Sequence, residues 1–272
     1  MYRGRFAPSP TGPLHFGSLV AAVASYLDAR AHGGQWLVRM EDVDKPRERP
    51  GAAALILRTL EQFGFEWDGE VLYQSRRSDA YTAALQRLQS AQAVFGCACT
   101  RRDPVCGCRS GERPARAWRA AAAGPTECFD DRLQGRYCDS IDNFVVLRAD
   151  GYFAYQLAVV VDDAEQGITD VVRGADLLDS TPRQISLQRL LGFPTPRYLH
   201  VPVAVDANGQ KLSKQTLAPA INAKDRSALL RRALVFLGQP EAESLDVAVR
   251  QWSPDLIPRT RAVPASLLPV ST

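Results

Sequence analysis

This sequence predicts an α/β fold with a Rossmann-type parallel sheet, on three observations. Strand, loop, helix and strand signals follow one another from Gly4 to Met40, which is the order of a βαβ unit. Strand-like and helical stretches return from Asn143 onward. Between the two halves, Gly96 to about Gly124 holds four Cys and little periodicity, and it reads as an insertion.

Taken in order, Gly4 to Ala7 is a short strand cut off by Pro8-Ser9-Pro10-Thr11-Gly12-Pro13. Ser18 to Ala31 is rich in Leu, Val and Ala, with Ser18 as a candidate N-cap and Gly33-Gly34 as the stop, so a helix is expected. Gln35 to Met40 is the second strand and runs into the acidic Glu41-Asp42-Val43-Asp44. Helical periodicity recurs over Ala52 to Phe63 and Asp79 to Val94, around a turn at Trp67-Asp68-Gly69. After the insertion, Phe144 to Leu147 and Tyr155 to Val161 read as strands, Ser180 to Leu191 as a helix ended by Gly192, and Val201 to Val205 as a last strand. From Asp225 one more helix is expected, with Asp225 as N-cap and Gly238 as C′. The expected organisation is residues 1–95 for the first half of the catalytic domain, 96–142 for the insertion, 143–220 for the second half and 221–272 for a short helical tail.

A chain of 272 residues that is 46% hydrophobic can bury a full core. Its 33 Lys+Arg against 30 Asp+Glu leave a net charge of +3, too small to announce a nucleic-acid binder, so any RNA-binding face must come from local clustering. No apolar run reaches the ~18 residues of a membrane span, and no signal-peptide pattern opens the chain, so a cytoplasmic protein is expected, and a monomer. A cytoplasmic chain keeps its thiols reduced, so close Cys spacings point to metal or catalysis.

Pro8-Ser9-Pro10-Thr11-Gly12-Pro13-Leu14-His15-Phe16-Gly17-Ser18 lies where the first strand gives way to the first helix, the place where open parallel sheets bind ligands. A helix N-terminus offers unpaired N–H groups to phosphate, Gly17 allows close backbone approach, and His15 adds a donor. Much later, Lys211-Leu212-Ser213-Lys214 puts two ammonium groups on a short loop after a Gly turn, as phosphoryl or adenylyl chemistry requires. Neither GxxxxGK[ST] nor GxGxxG occurs, so the P-loop and dinucleotide-binding classes are excluded.

The pair His15-Phe16-Gly17-Ser18 and Lys211-Leu212-Ser213-Lys214-Gln215 resembles the HIGH and KMSKS signatures of class I aminoacyl-tRNA synthetases. Arg5-Phe6-Ala7-Pro8-Ser9-Pro10-Thr11-Gly12 with Arg39-Met40-Glu41-Asp42-Val43-Asp44 is similar to the glutamyl and glutaminyl branch, and the likeness covers nearly the whole chain. It is nearest to a short, glutamyl-tRNA synthetase-like family: only 58 residues follow Lys214, and Gln215 stands where the general pattern has Ser. That resemblance implies a ligase that activates glutamate with ATP in the absence of tRNA and passes it to queuosine at the wobble position of tRNA(Asp). It implies Pro8, His15, Gly17, Ser18 and Lys214 at ATP, with Mg²⁺ carried by the nucleotide, and His15, Lys211 and Lys214 as the catalytic set. It implies Arg5, Ala7, Ser9, Glu41, Tyr155 and Arg173 at glutamate, a diacid with one amine that calls for a carboxylate such as Glu41 and guanidiniums such as Arg5 and Arg173. Two other readings stand beside it: a truncated glutamyl-tRNA synthetase charging the tRNA 3′ end, and a non-catalytic nucleotide- or RNA-binding remnant.

Cys97-x-Cys99 and Cys106-x-Cys108 give four thiols, enough for a closed structural Zn²⁺ site. The resembled family holds its zinc with a Cys-x-Cys pair, a Tyr and a Cys four residues beyond it. Here Pro104 occupies the Tyr position, so either Cys106 replaces it or the thiols stand reduced without metal. Cys128 and Cys138 lack metal-like spacing and read as packing residues. Arg101, Arg102, Arg109, Arg113, Arg116 and Arg119 surround the cluster, a candidate for phosphate contact with the RNA.

Overall fold

The computed structural model describes residues 1–99, 108, 115–121, 124, 126–206, 209–212 and 219–265. Strand β1 (Arg3–Phe6) leads through the proline-rich loop into helix α1 (Phe16–Ala31) and back to β2 (Gln35–Met40), which pairs with β1 in parallel from Arg3↔Gln35 to Phe6↔Val38. Alternate β2 residues Trp36, Val38 and Met40 are fully buried, and Leu19, Val23 and Leu27, four apart on α1, are buried over the same core. The helix starts two residues before the expected Ser18: His15 is the N-cap, and its Nδ1 accepts from the Ser18 N–H at 3.3 Å. The turn back into β2 needs glycine, because a Cβ on Gly34 would stand 2.5 Å from the Tyr2 carbonyl oxygen.

After β2 come α2 (Ala52–Gln62), the two-residue β3 (Leu72–Tyr73) parallel to β2, and α3 (Ser78–Ser90). The helix expected to reach Val94 stops at Ser90, because Gln92 takes a positive φ of 52° and Val94 opens β4 (Val94–Cys97). Strand β4 pairs antiparallel with β5 (Ala117–Ala120), and β5 with β8 (Phe144–Leu147), a small sheet apart from the parallel one. Between them in sequence lie β6 (Thr126–Asp131) and β7 (Gly135–Ser140), an antiparallel hairpin in which Cys128 sits opposite Cys138. Those two cysteines form a disulfide, which corrects the expectation of reduced packing residues. Facing positions on an antiparallel pair bring the two Cα atoms to 4.1 Å, a proximity that linear spacing does not reveal.

The apolar run expected to be a strand, Tyr155 to Val161, is helix α4 (Tyr155–Glu165). Leu157 through Val161 are all buried, with α3, α5 (Thr181–Leu191) and β8 packed around them, so apolar residues on every side erase the helical period. Strand β9 (Asp170–Gly174) precedes α5, and β10 (Arg197–Val201) follows it, pairing in parallel with β9 and touching β6. The β1–β2 sheet and the mixed sheet that holds β9 and β10 meet where the Thr169 N–H donates to the Arg3 carbonyl at 2.9 Å. The strand expected over Val201 to Val205 breaks at Pro202, which has no N–H for the ladder; Val203–Val205 forms β11 and pairs with β12 (Ala262–Pro264).

The tail contains α6 (Arg226–Phe236), with Asp225 at the N-cap position but without a side-chain capping bond, and with Gly238 in the left-handed region beyond its end as expected. It also contains α7 (Leu245–Gln251), whose cap Ser244 accepts from the Val247 N–H; the seven-residue helix was too short to register as a period. Both pack on α1 and share its core through Leu230, Ala233, Leu234, Leu245 and Ala248. Trp252 donates from Nε1 to Asp28 on α1 at 3.0 Å. Among the described residues no helix is long and apolar enough to cross a membrane.

Candidate active site

A cavity of about 610 Å³ opens at the C-terminal ends of β1, β2, β9 and β10, where parallel sheets bind ligands. Arg5, Ala7, Pro8, Ser9, His15, Gly17, Ser18, Glu41, Tyr155, Arg173 and Lys211 all line it, so the structure brings together eleven residues that the sequence singled out. Lys214, with Ser213 and Gln215, lies outside the described residues. The flanks of that segment are nonetheless fixed beside the proline-rich loop. Ala220 bridges to His15, the Ile221 N–H donates to the Leu14 carbonyl at 3.0 Å, and a Cβ on Gly17 would stand 3.4 Å from the Leu212 carbonyl oxygen. Lys211 and Leu212, about two hundred positions after His15, therefore share one cleft with it.

At the helix end of the cavity, His15 holds its Nδ1 lone pair toward the Ser18 N–H, which leaves Nε2 to carry the proton of the neutral ring as a donor. The first turn of α1 has no acidic residue, so its dipole is not offset there. The Lys211 ammonium is paired with Asp176, just past β9.

At the other end the charges are buried and tightly held. Asp163 of α4 accepts from Arg5 Nε at 3.1 Å and from Arg39 Nη1 at 2.8 Å, and Arg39 also reaches Gln166 Oε1 at 2.8 Å. Burial pushes the Asp163 carboxyl up, but the two guanidiniums outweigh it and hold the group below the usual carboxylate range. Glu41 lies 3.6 Å from Arg39 Nη2, and burial drives its carboxyl up to about 7 against the pull of Arg39 and Arg5. Arg173 sits on β9 beside its register partner His200 on β10 and is 5% exposed. Burial also raises the Tyr155 phenol, with the Glu41 charge adding to it. The expectation of Tyr155 in a strand changes only its setting: it is the first residue of α4, still at the cavity wall.

Sequence reasoning missed the residues behind this wall. Asp162 and Asp163 interrupt an apolar run, a visible sign of buried charge; Asp162 accepts from Arg77, Gln74 and Tyr81 and orders the floor beneath Arg39. Arg39 is fully buried and belongs to the Arg39–Asp44 motif, in which the sequence points to Glu41 alone. For His200 and Asp131 no local signal exists.

Beside this cavity a larger one, about 970 Å³, shares Ala7, Ser9, Glu41, Tyr155 and Lys211 with it and extends to Arg119, Arg148, Cys97 and Cys99. The sulfurs of Cys97, Cys99 and Cys108 lie within 4.8 Å of one another, and the Ala98 N–H points at the Cys108 sulfur at 3.4 Å. Thiolates around a tetrahedral Zn²⁺ stand roughly 3.8 Å apart, so these three fit a metal. Cys106, the expected fourth ligand, lies outside the described residues, as do Arg101, Arg102, Arg109 and Arg113; Arg116 and Arg119 flank and join β5.

Residues 1–104 and 109–239 match the family model described as tRNA synthetases class I (E and Q), catalytic domain. A Glutamyl-Q tRNA(Asp) synthetase of Neisseria meningitidis serogroup B is 54% identical, over 95% of this chain and 98% of its own. One from Dechloromonas aromatica is 57% identical, over 95% and 96%. Among solved structures, a glutamate-tRNA synthetase from Elizabethkingia anophelis superposes with a TM-score of 0.82 at 21% identity, covering 96% of this chain and 67% of that one, a likeness of fold.

Proposed function

The chain belongs to the class I tRNA synthetase family of the glutamate and glutamine type, and on that premise we propose a two-step ligase. It activates glutamate with ATP without tRNA and then transfers the glutamyl group to queuosine at the wobble position of tRNA(Asp). One observation carries the first step: a single cavity presents donors at a helix N-terminus at one end and a buried carboxylate among guanidiniums at the other. The names of relatives more than 50% identical along almost the whole chain support the acceptor.

In this reading ATP, with its Mg²⁺, lies across Pro8, Gly17 and Ser18, and His15 Nε2 donates to a phosphate. Lys211 and Lys214 neutralise charge that builds on the phosphates as the glutamate carboxylate attacks the α-phosphorus and pyrophosphate leaves. Glu41 takes the substrate ammonium, Arg5 and Arg173 its carboxylates, and Ala7, Ser9 and Tyr155 complete the wall. Arg5 contributes because Asp163 fixes its Nε edge and leaves the other edge to the substrate. An acceptor hydroxyl then attacks the acyl carbon and AMP departs; the adjoining larger cavity is where the nucleoside enters. Cys97, Cys99 and Cys108, with Cys106, would hold a structural Zn²⁺ that fixes the wall of that cavity.

Incubation with ATP, labelled glutamate and total tRNA, followed by nuclease mapping, should place the label on the modified anticodon nucleoside of tRNA(Asp). Label on a 3′-terminal adenosine would establish instead a truncated glutamyl-tRNA synthetase. An absence of glutamate-dependent pyrophosphate exchange would refute both.

A further inference from the structure

Three parallel strands run side by side behind the cavity, and each contributes one polar residue to a line that reaches the cavity wall at Arg173. Asp131 closes β6, His200 lies on β10, and Arg173 on β9 is the register partner of His200. All three are buried: 5%, 0% and 5% exposed.

The Asp131 carboxylate accepts the backbone N–H groups of Leu133, Gln134 and His200, and it meets His200 Nδ1 at 2.6 Å. A buried carboxylate surrounded by donors is an acceptor only, so the imidazole proton resides on Nδ1 and Nε2 keeps its lone pair. Burial pushes the imidazole down to about 4, and the Arg173 charge pushes the same way, so the ring stays neutral at physiological pH. Arg173 Nε donates to that lone pair at 3.0 Å, and its Nη2 donates to Thr181 Oγ1 at 2.7 Å. The Thr181 hydroxyl lies 3.1 Å from both the Leu177 carbonyl and His200 Nε2, so its own hydrogen can go to either acceptor while its oxygen receives Arg173. One edge of the guanidinium is thus fully engaged. Its other edge has Nη1, buried and with no hydrogen-bond partner among the described residues. A buried charged donor left unmatched is costly, and in a cavity wall it marks the place of a missing acceptor.

We propose that His200, fixed in one tautomer by Asp131, is a positioning residue that locks the inner edge of Arg173 so that its outer edge receives a carboxylate of the amino-acid substrate. The inference rests on the reading of glutamate as that substrate. It explains why three buried polar groups stand on adjacent strand ends, where apolar residues would pack at less cost. It also distinguishes Arg173 from Arg5, which is held by an anion, Asp163, rather than by a neutral ring.

Asp131→Asn tests it with almost no change in shape. The amide oxygen can keep the backbone N–H groups while its NH₂ faces Nδ1, which moves the ring proton to Nε2 and sets it against Arg173 Nε–H. With only three histidines in the chain, ¹⁵N-histidine NMR reads that tautomer directly. The expected result is a shift of the His200 proton to Nε2 and a rise of roughly tenfold or more in the KM for glutamate in pyrophosphate exchange. The KM for ATP should stay within about twofold and the melting temperature near wild type. His200→Gln, whose side-chain oxygen can replace the Nε2 lone pair, should keep glutamate affinity, and His200→Leu should lose it. A tautomer shift with unchanged glutamate KM, or equal behaviour of the Gln and Leu variants, overturns the inference while leaving the activity assigned. A wild-type protein without glutamate-dependent exchange removes the activity and this role together.

Discussion

Glu41 stands beside two guanidiniums, yet burial pushes its carboxyl up to about 7, because the loss of water outweighs the attraction of charges already claimed by Asp163. A carboxyl whose folded value lies above the ordinary 4.5 favours the protonated fold, so this group's contribution to stability weakens as pH rises from about 4.5 to 7. Binding has the opposite sign, since a substrate ammonium needs the ionised form. The KM for glutamate should therefore fall as pH rises through about 7 and level off above it. Glu41→Gln should show a higher KM with that pH dependence gone; an unchanged profile in the variant would remove Glu41 from the ammonium site. At this scale the meeting of Arg5, Glu41 and Arg173 at one cavity was legible, because the motifs that hold them point to a shared site. Asp163 and His200 were not. Each matters through partners more than twenty positions away in sequence, and sequence position alone carries no trace of that.

Among the elements, βαβ order and glycine stops located α1, β2, α5 and α6 closely, because Gly33-Gly34, Gly192 and Gly238 mark where each helix ends. Helix α4 was misread for the opposite reason: a segment buried on all sides has no pattern to read. The β6–β7 hairpin escaped altogether, and with it the pairing of Cys128 and Cys138. A crosslink closing a ten-residue separation stabilises by about 2–3 kcal/mol through the unfolded chain. A thiol reductant should accordingly lower the melting temperature of the wild type by several degrees. The Cys128→Ser/Cys138→Ser double variant should melt at that lower temperature and ignore the reductant; a wild type indifferent to reduction would show that the hairpin holds itself.

For the molecule as a whole, net charge conveyed little and local clustering more. The six arginines from Arg101 to Arg119 have few acidic neighbours in sequence, and of the two that are described, Arg116 and Arg119, the second borders the larger cavity. Replacing Arg101 and Arg102 with Ala should weaken transfer to tRNA about tenfold at physiological salt and lower the salt-dependence slope of binding by roughly one to two. Glutamate-dependent exchange should stay near wild type, and a matching loss in both steps would refute the RNA role. That a parallel βαβ unit opens the chain and that two distant segments meet at one cavity followed from sequence; the sheet order and the docking of the tail did not, since strand pairing and helix packing depend on surfaces that only the folded chain presents.

Asp28 gives that docking a consequence. It is fully buried on α1, and although burial pushes its carboxyl up, Arg132, Tyr2 and Trp252 hold it below the usual range. The donors come from the chain's start, the β6–β7 turn and the segment after α7, so one anion is a knot tied with three threads. Cutting the chain after Asn222 would take away one thread and strip the oily flank of the helix whose opposite end greets the nucleotide in our reading. What looks on paper like a detachable trailer is a keystone for the catalytic half.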